Sequence, residues 1–420
     1  VRNASGEPDR ADYVSLRAAV LIIMITPLLM IAAREIPATL LVIVTLVLGT
    51  ASWRKGHVSD IGRDLINTLT HPAGCAFAAL VVLMLASLVW SPAPARGANH
   101  VLHFAAAILL ATISIATAIR ICLHFDSSMA AFAIFLAAGL LATDIWLFGG
   151  LREALFLSTD VFRLNRAAIA ITLFLPLATA LLAGERRIVL LGMLWVSAIA
   201  AVHLSISYSA KLAFIVIVLL LPITIALPHI VHRLATFALP LTVLAMPWIA
   251  SVANSLVPAR LHEAVGYDSL TIRGEIWKET VPFIWQKPFF GWGVEASHAL
   301  PHLPEAAHLT QVQRDLLGWG HTHNAPLQIW LELGAVGAAS TAAALYLGIR
   351  ALRALPLMLL PYATTTVIAA FAIACVSHGA WQAWWWALLG LIATAYAMAI
   401  TAHFSDVLRR ASESGAKSTG

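Results

Sequence analysis

The sequence predicts an all-α polytopic membrane protein with about twelve transmembrane helices, and three observations carry that reading. Of 420 residues 60% are apolar and only 11% charged, against roughly 25% charge in an average soluble domain. Mean hydropathy is +0.86. Runs rich in Leu, Ile, Val and Ala recur along the chain, each about 16 to 22 residues, enough to cross about 30 Å of hydrocarbon with some tilt. Such runs argue against a β-barrel, whose spans alternate over about ten residues.

In chain order the predicted spans are 18–33, 35–52, 73–91, 101–119, 128–148, 167–183, 188–206, 212–228, 234–250, 324–348, 357–376 and 380–402. The first two are interrupted by Arg34 and Glu35 and read either as a tight hairpin or as one long element kinked around Pro37. The organisation is a tail over 1–17, about nine helices over 18–250, a loop over 251–323, three helices over 324–402 and a tail over 403–420. The opening VRNASGEPDRADY is polar and no small-residue cleavage pattern follows, so it reads as a retained tail rather than a signal peptide. The closing SESGAKSTG reads as solvated disorder.

An even span count puts both termini on one side. Placing them inside puts fifteen of the 26 Lys and Arg there, and five of the remaining eleven lie in the long loop, where charges count little. The loop is therefore predicted outside. The +5 net charge is spread over loops and does not recommend nucleic acid as a partner. Cys75, Cys122 and Cys375 fall in or beside spans without paired spacing and read as buried structural thiols.

A loop of about seventy residues is more often functional than a mere connector. Within it Thr271 to Ile284 reads as an amphipathic helix, with Ile272, Ile276, Trp277, Thr280 and Ile284 on one face. In the following KPFFGWG, Pro288 stops the helix while Gly291 and Gly293 permit a tight turn; no nucleotide-binding signature is present. The loop is slightly acidic overall, so an anionic substrate would have to meet selected cations in a sheltered place. It also holds His262, His298, His302, His308, His321 and His323, but no HExxH spacing and no cysteine, so no metal is predicted.

GHTHNAPLQIWLELGAVGA, Gly320 to Ala338, places His321, His323 and Asn324 before the tenth span. Asn324 is a natural N-cap with Pro326 behind it, and the helix field there helps keep His323 neutral and able to accept a proton. An ordinary polar helix start and a catalytic base are both open readings. Gln328 and Glu332 follow at one-turn spacing and aim a polar strip into the bundle. Glu332 reads as a salt-bridged or solvated carboxylate, or as one that orients the site, and Gly334 and Gly337 favour close approach of another span.

Arg273 is either a planar fork for phosphate oxygens or an exposed helix arginine. Lys211 either snorkels or binds an anion, Arg163 and Arg166 in FRLNR are candidate substrate contacts, and Arg260 and Arg314 are further loop cations. The cluster Trp381, Trp384, Trp385 and Trp386 reads as an interfacial aromatic belt, with His378 and Gln382 at the same external turn.

The ordered set SLTIRGEIW, KPFFGWG, HTHNAPLQIWLELGAVG and SHGAWQAWWW resembles the bacterial O-antigen ligase and polymerase family, over roughly Arg163 to His403. The most specific piece is His323–Asn324, nine residues, then Gly334, with Gly337 nearby. The resemblance implies a C-type (GT-C) membrane glycosyltransferase of the bacterial inner membrane, with cytoplasmic termini and a periplasmic site. It further implies a glycan donor on undecaprenyl diphosphate, lipid A-core or another glycan as acceptor, no cofactor and no essential metal. By position His323 is similar to the family's catalytic histidine and Arg273 to its loop arginine. Lys211 stands where the family often has arginine, so its diphosphate role rests on a point charge without a fork. The leading expectation is an O-antigen ligase in lipopolysaccharide biosynthesis. Alternatives are a lipid-linked glycan polymerase, a protein O-oligosaccharyltransferase and, from another class, a multi-pass transporter.

Overall fold

The computed structural model describes residues 10–121, 127–256 and 271–418, so Arg260, His262 and Cys122 lie outside the described residues. Among the described residues every regular element is helical: α1 (Arg10–Met24), α2 (Thr26–Ala32), α3 (Pro37–Arg54), α4 (Val58–Thr70), α5 (Pro72–Ser87), α6 (Pro94–Ile121), α7 (Ser127–Trp146), α8 (Gly150–Ala154), α9 (Asn165–Gly184), α10 (Ile188–Leu204), α11 (Tyr208–Ala226), α12 (Pro228–Leu256), α13 (Ile272–Gln286), α14 (Ala296–Ala299), α15 (Gln311–Leu317), α16 (Ala325–Ala351), α17 (Leu360–Val376) and α18 (Ala383–Ser418).

Among the described residues eight helices are long and apolar enough to cross a membrane, or up to ten spans if the bent pairs α1–α2 and α4–α5 count as one each. The chain is therefore a multi-span helical membrane bundle with eight to ten candidate spans where the sequence predicts about twelve. The shortfall lies at 188–206 and 357–376. There α10 and α17 are apolar helices of 17 residues each, about 26 Å at 1.5 Å per residue, at the short end of the lengths that span a bilayer.

The uncertain first spans resolve into a hairpin turning at 33–36, with α3 packed back on α1. Pro37 opens α3 rather than kinking it, and the 53° bend comes earlier, at Ile25, where Pro27 begins α2. The helix α4 is absent from the predicted spans because its residues VSDIGRDLINTLT are amphipathic rather than uniformly apolar. Cys75 is exposed rather than buried. The expected disordered end continues α18 as helix to Ser418, since Leu408, Arg409, Arg410, Ala411 and Glu413 are helix formers and no proline intervenes.

At the centre stands α9, buried on nearly all sides as its unbroken apolar sequence requires. Around it α12 packs on α16, α6 on α18 and α11 on α17. Contacts gather several connections at one end of the bundle. Glu35 pairs with Arg166, Ser91 Oγ donates to the Val294 carbonyl at 2.7 Å, and Ser209 Oγ lies 3.0 Å from Ser377 Oγ. The segment 271–324 meets this end through Ser91 and Ser377.

Candidate active site

The tenth predicted span begins as its sequence dictates. Asn324 Oδ1 accepts the Leu327 N–H at 3.0 Å, with Pro326 in the first turn of α16. At Gly334 the helix breaks, with φ 63° and ψ −161°, a conformation that is nearly glycine-only. KPFFGWG fills the break. Its Pro288 and Phe289 carbonyls accept the N–H groups of Ala335 and Val336 at 2.7 and 3.1 Å, while Trp292 and Gly293 donate to the Leu331 and Glu332 carbonyls at 2.9 and 2.8 Å. A Cβ on Gly334 would run into the Phe289 backbone, and one on Gly291 into the Glu332 backbone. The close approach predicted at Gly334 is thus to a loop, not to another span, because the carbonyls freed by a broken helix need backbone donors. At Gly337 the nearest neighbour is Leu333 of the same helix.

His323 precedes the cap with φ 52°, left-handed and uncommon for a residue with a side chain. Thr322 holds it there. Its Oγ1 donates to the Asn324 carbonyl at 2.7 Å, and its carbonyl accepts the Trp277 Nε1–H of α13 at 2.8 Å. His323 Nδ1 lies 3.4 Å from the Ser377 carbonyl, which only accepts, so the imidazole proton belongs on Nδ1 and Nε2 keeps its lone pair. Nε2 is buried with no hydrogen-bond partner.

The His323 N–H donates to His321 Nδ1 at 3.1 Å, and the two rings are 4.1 Å apart. Burial, then His321 and Arg273, push His323 down to about 3; burial, then Arg166 and Arg273, push His321 down to about 4. Burial is the leading cause for both. His378 is wedged against Trp384 and Trp385, each ring 4.8 Å away. Burial, then Arg166, holds it well below the ordinary imidazole range. All three rings are neutral at pH 7.

Beneath them, Ser297 Oγ and Gln328 Nε2 donate to Glu332 Oε1 at 2.6 and 2.9 Å, and Trp381 Nε1 donates to Oε2 at 2.6 Å. Gln328 Oε1 accepts the Ala380 N–H at 2.9 Å. Glu332 is fully buried, so the salt-bridged and solvated readings give way to a carboxylate held by neutral donors. The tryptophan belt is corrected too: Trp381, Trp384 and Trp385 are 2–3% exposed. The indole N–H groups of Trp381, Trp384 and half-buried Trp386 reach internal acceptors, Glu332 Oε2 at 2.6 Å, Gln382 Oε1 at 3.0 Å and the Ala380 carbonyl at 2.8 Å, which is what burial of an indole requires.

Of the predicted cations, Arg273 and Arg166 join the histidines. Arg273, in the first turn of α13, makes no hydrogen bond or ion pair among the described residues, and burial lowers its pKa. Arg166 lies 4.4 Å over the Trp384 ring. Gln382 Nε2 is 3.4 Å from His321 Nε2. Lys211 meets Tyr208 at 5.4 Å and is linked to the cluster through Ser209, its neighbour two residues back, which touches Ser377. Arg163 and Arg314 are not among the charges acting on the three histidines, and Arg314 donates to the Leu309 carbonyl at 2.6 Å. No three His, Cys, Asp or Glu side chains among the described residues converge on a metal position. Sequence reasoning missed Glu35, Trp277, Ser297 and Ser377, whose roles exist only through contacts distant in sequence.

Fold and site together define a multi-span membrane protein with a sheltered histidine–arginine centre at one end of its bundle. Residues 171–342, from α9 to the middle of α16, match the sequence model of the O-antigen ligase family. That segment contains Lys211, Arg273, His321, His323 and Glu332. No curated protein matches the chain.

Proposed function

We propose that this protein is a periplasm-facing O-antigen ligase of the bacterial inner membrane, with both termini cytoplasmic, which moves a glycan from undecaprenyl diphosphate to a sugar hydroxyl of lipid A-core. The observation that carries the reading is the His323 imidazole. Its Nδ1 faces a carbonyl, its Nε2 is buried without a partner, and a buried arginine stands close enough to act on it.

In the proposed reaction Nε2 takes the proton of the acceptor hydroxyl as its oxygen bonds to the anomeric carbon. The sugar–phosphate bond breaks and its electron pair leaves on the diphosphate, stabilised by Arg273 and Lys211. An α-linked donor gives a β-linked product. Diphosphate is a good leaving group, so a second carboxylic acid is not needed, and Glu332 positions the 378–382 turn rather than transferring protons. The donor's negative charge offsets the field of Arg273, raising the proton affinity of His323 when the substrate is in place.

The test is His323→Gln in purified, inserted protein with a defined lipid-linked donor and separate acceptors, followed by mass analysis of products. Transfer should vanish while folding and donor binding persist. Normal turnover would remove His323 as the base, and a lengthened lipid-linked glycan or a glycosylated protein as sole product would replace ligase by polymerase or protein glycosylation.

A further inference from the structure

Arg166 and Glu35 both lie outside the matched segment 171–342, and their pairing is lopsided. Arg166, in the first turn of the central helix α9, is sheltered: its side chain is 20% exposed and its guanidinium carbon lies over Trp384, 4.4 Å from the ring centre. Glu35 is on the short turn 33–36, 62% exposed, and also lies 3.7 Å from Arg34 Nε. The cation is sheltered and the anion faces solvent. A guanidinium stacked on an indole keeps its N–H groups in plane at the edge, where a phosphate can take two of them in parallel.

The charges around the histidines point the same way. Arg166 and Arg273 both act on His321 and His378, whereas Lys211 appears among the influences on neither. Two arginines thus flank a set of neutral imidazoles. Arg273 has no carboxylate partner among the described residues, and Glu35 is the one Arg166 has. Cations held in a sheltered place with so little countercharge favour an anion carrying more than one negative charge.

We propose that Glu35 is a displaceable stand-in for phosphate on Arg166: the donor's diphosphate exchanges with the Glu35 carboxylate, so that Arg166 and Arg273 clamp it together and Glu35 sets affinity by competition. This rests on the diphosphate-donor reading above. The released carboxylate stays solvated and keeps Arg34 beside it, so the exchange leaves no buried charge behind. If the pair only fastens the 33–36 turn to α9, removing the Glu35 charge weakens the fold and eases anion binding at most by a salt-screened repulsion that does not depend on Arg166.

The experiment measures inorganic pyrophosphate binding to the full chain in detergent by calorimetry, for the parent, Glu35→Gln, Arg166→Lys, Arg166→Ala, Arg273→Ala and the double variant Glu35→Gln/Arg166→Ala. Removing a competing exposed ion pair should tighten binding about two- to fivefold in Glu35→Gln. Loss of a sheltered cation should weaken it about tenfold or more in Arg166→Ala. Arg166→Lys, which keeps the charge but not the fork, should also weaken it, and the tightening should disappear in the double variant. Unchanged or weaker binding in Glu35→Gln overturns the proposal, as does tightening that survives without Arg166. The two readings separate cleanly. Arg166 variants that bind like the parent while Arg273→Ala does not would sink the exchange alone, whereas a parent that binds no pyrophosphate would sink the diphosphate-donor reading with it.

Discussion

Glu332→Gln is nearly isosteric, yet the geometry makes it costly. Both carboxylate oxygens accept: Oε1 from Ser297 Oγ at 2.6 Å and Gln328 Nε2 at 2.9 Å, Oε2 from Trp381 Nε1 at 2.6 Å. An amide has one oxygen. Kept at the Oε1 position, it turns its NH2 toward the Trp381 N–H, and neither can accept. Reversed, it faces Gln328, whose own rotation would strand the Ala380 N–H now bonded to Oε1 at 2.9 Å. One fully buried donor is left without a partner, which costs about 1–3 kcal/mol. Thermal unfolding in detergent, followed by tryptophan fluorescence, should show Glu332→Gln less stable than the parent. Adding Trp381→Phe removes the stranded donor, so the double variant should be more stable than the sum of the two single effects by roughly 0.5 kcal/mol or more. A Glu332→Gln protein as stable as the parent, with additive behaviour in the double variant, would refute the donor arrangement.

Gly334→Ala should cost about 3 kcal/mol or more, from backbone strain of about 1–3 kcal/mol and loss of the hydrogen bonds of Ala335 and Val336, each about 1 kcal/mol. Faster proteolysis within 288–293 would report it, and parental resistance would contradict it. Arg273→Ala should raise the donor KM about tenfold or more, and an unchanged KM with unchanged kcat rules the assignment out. The pH dependence follows from His323, which is held down to about 3 by burial, His321 and Arg273. Its lone pair is lost only below that value, so kcat/KM, which reports the free enzyme, should not fall through a midpoint near the ordinary 6.5, and the acid limb of kcat should lie at higher pH than that of kcat/KM. Coincident limbs near 6.5 would show an exposed imidazole.

The parts legible in the sequence were those set by local chemistry. Apolar runs located the helices, Asn324 and Pro326 announced the start of α16, and Pro288 marked the end of α13, which stops at Gln286. What failed was set by tertiary partners. Glycine at 334 signalled close approach but not its object, because a GxxG pair on an apolar helix looks the same whether a span or a loop backbone arrives. Tryptophans at 381–386 look like a membrane belt until the indole N–H groups of Trp381, Trp384 and Trp386 are seen to reach Glu332, Gln382 and Ala380. The sequence offers Arg166 only as a candidate substrate contact in FRLNR, and its place 4.4 Å over Trp384 and its action on His321 come from the fold. Nothing within forty residues of Glu35 signals that partner, which is 131 positions away in the chain.

One broken helix organises the whole centre. The N-cap of α16 positions His323, its second turn holds the 378–382 turn through Gln328 and Glu332, and its break at Gly334 grips the segment leading from α13, which carries Arg273. These ties use backbone groups and neutral donors. Had Glu332 been satisfied by an arginine instead, that cation would have been neutralised inside the protein and withdrawn from an incoming anion. Holding the carboxylate with a serine, a glutamine and an indole leaves Arg273 without a carboxylate partner among the described residues, and that is the electrostatic condition a diphosphate-handling site requires.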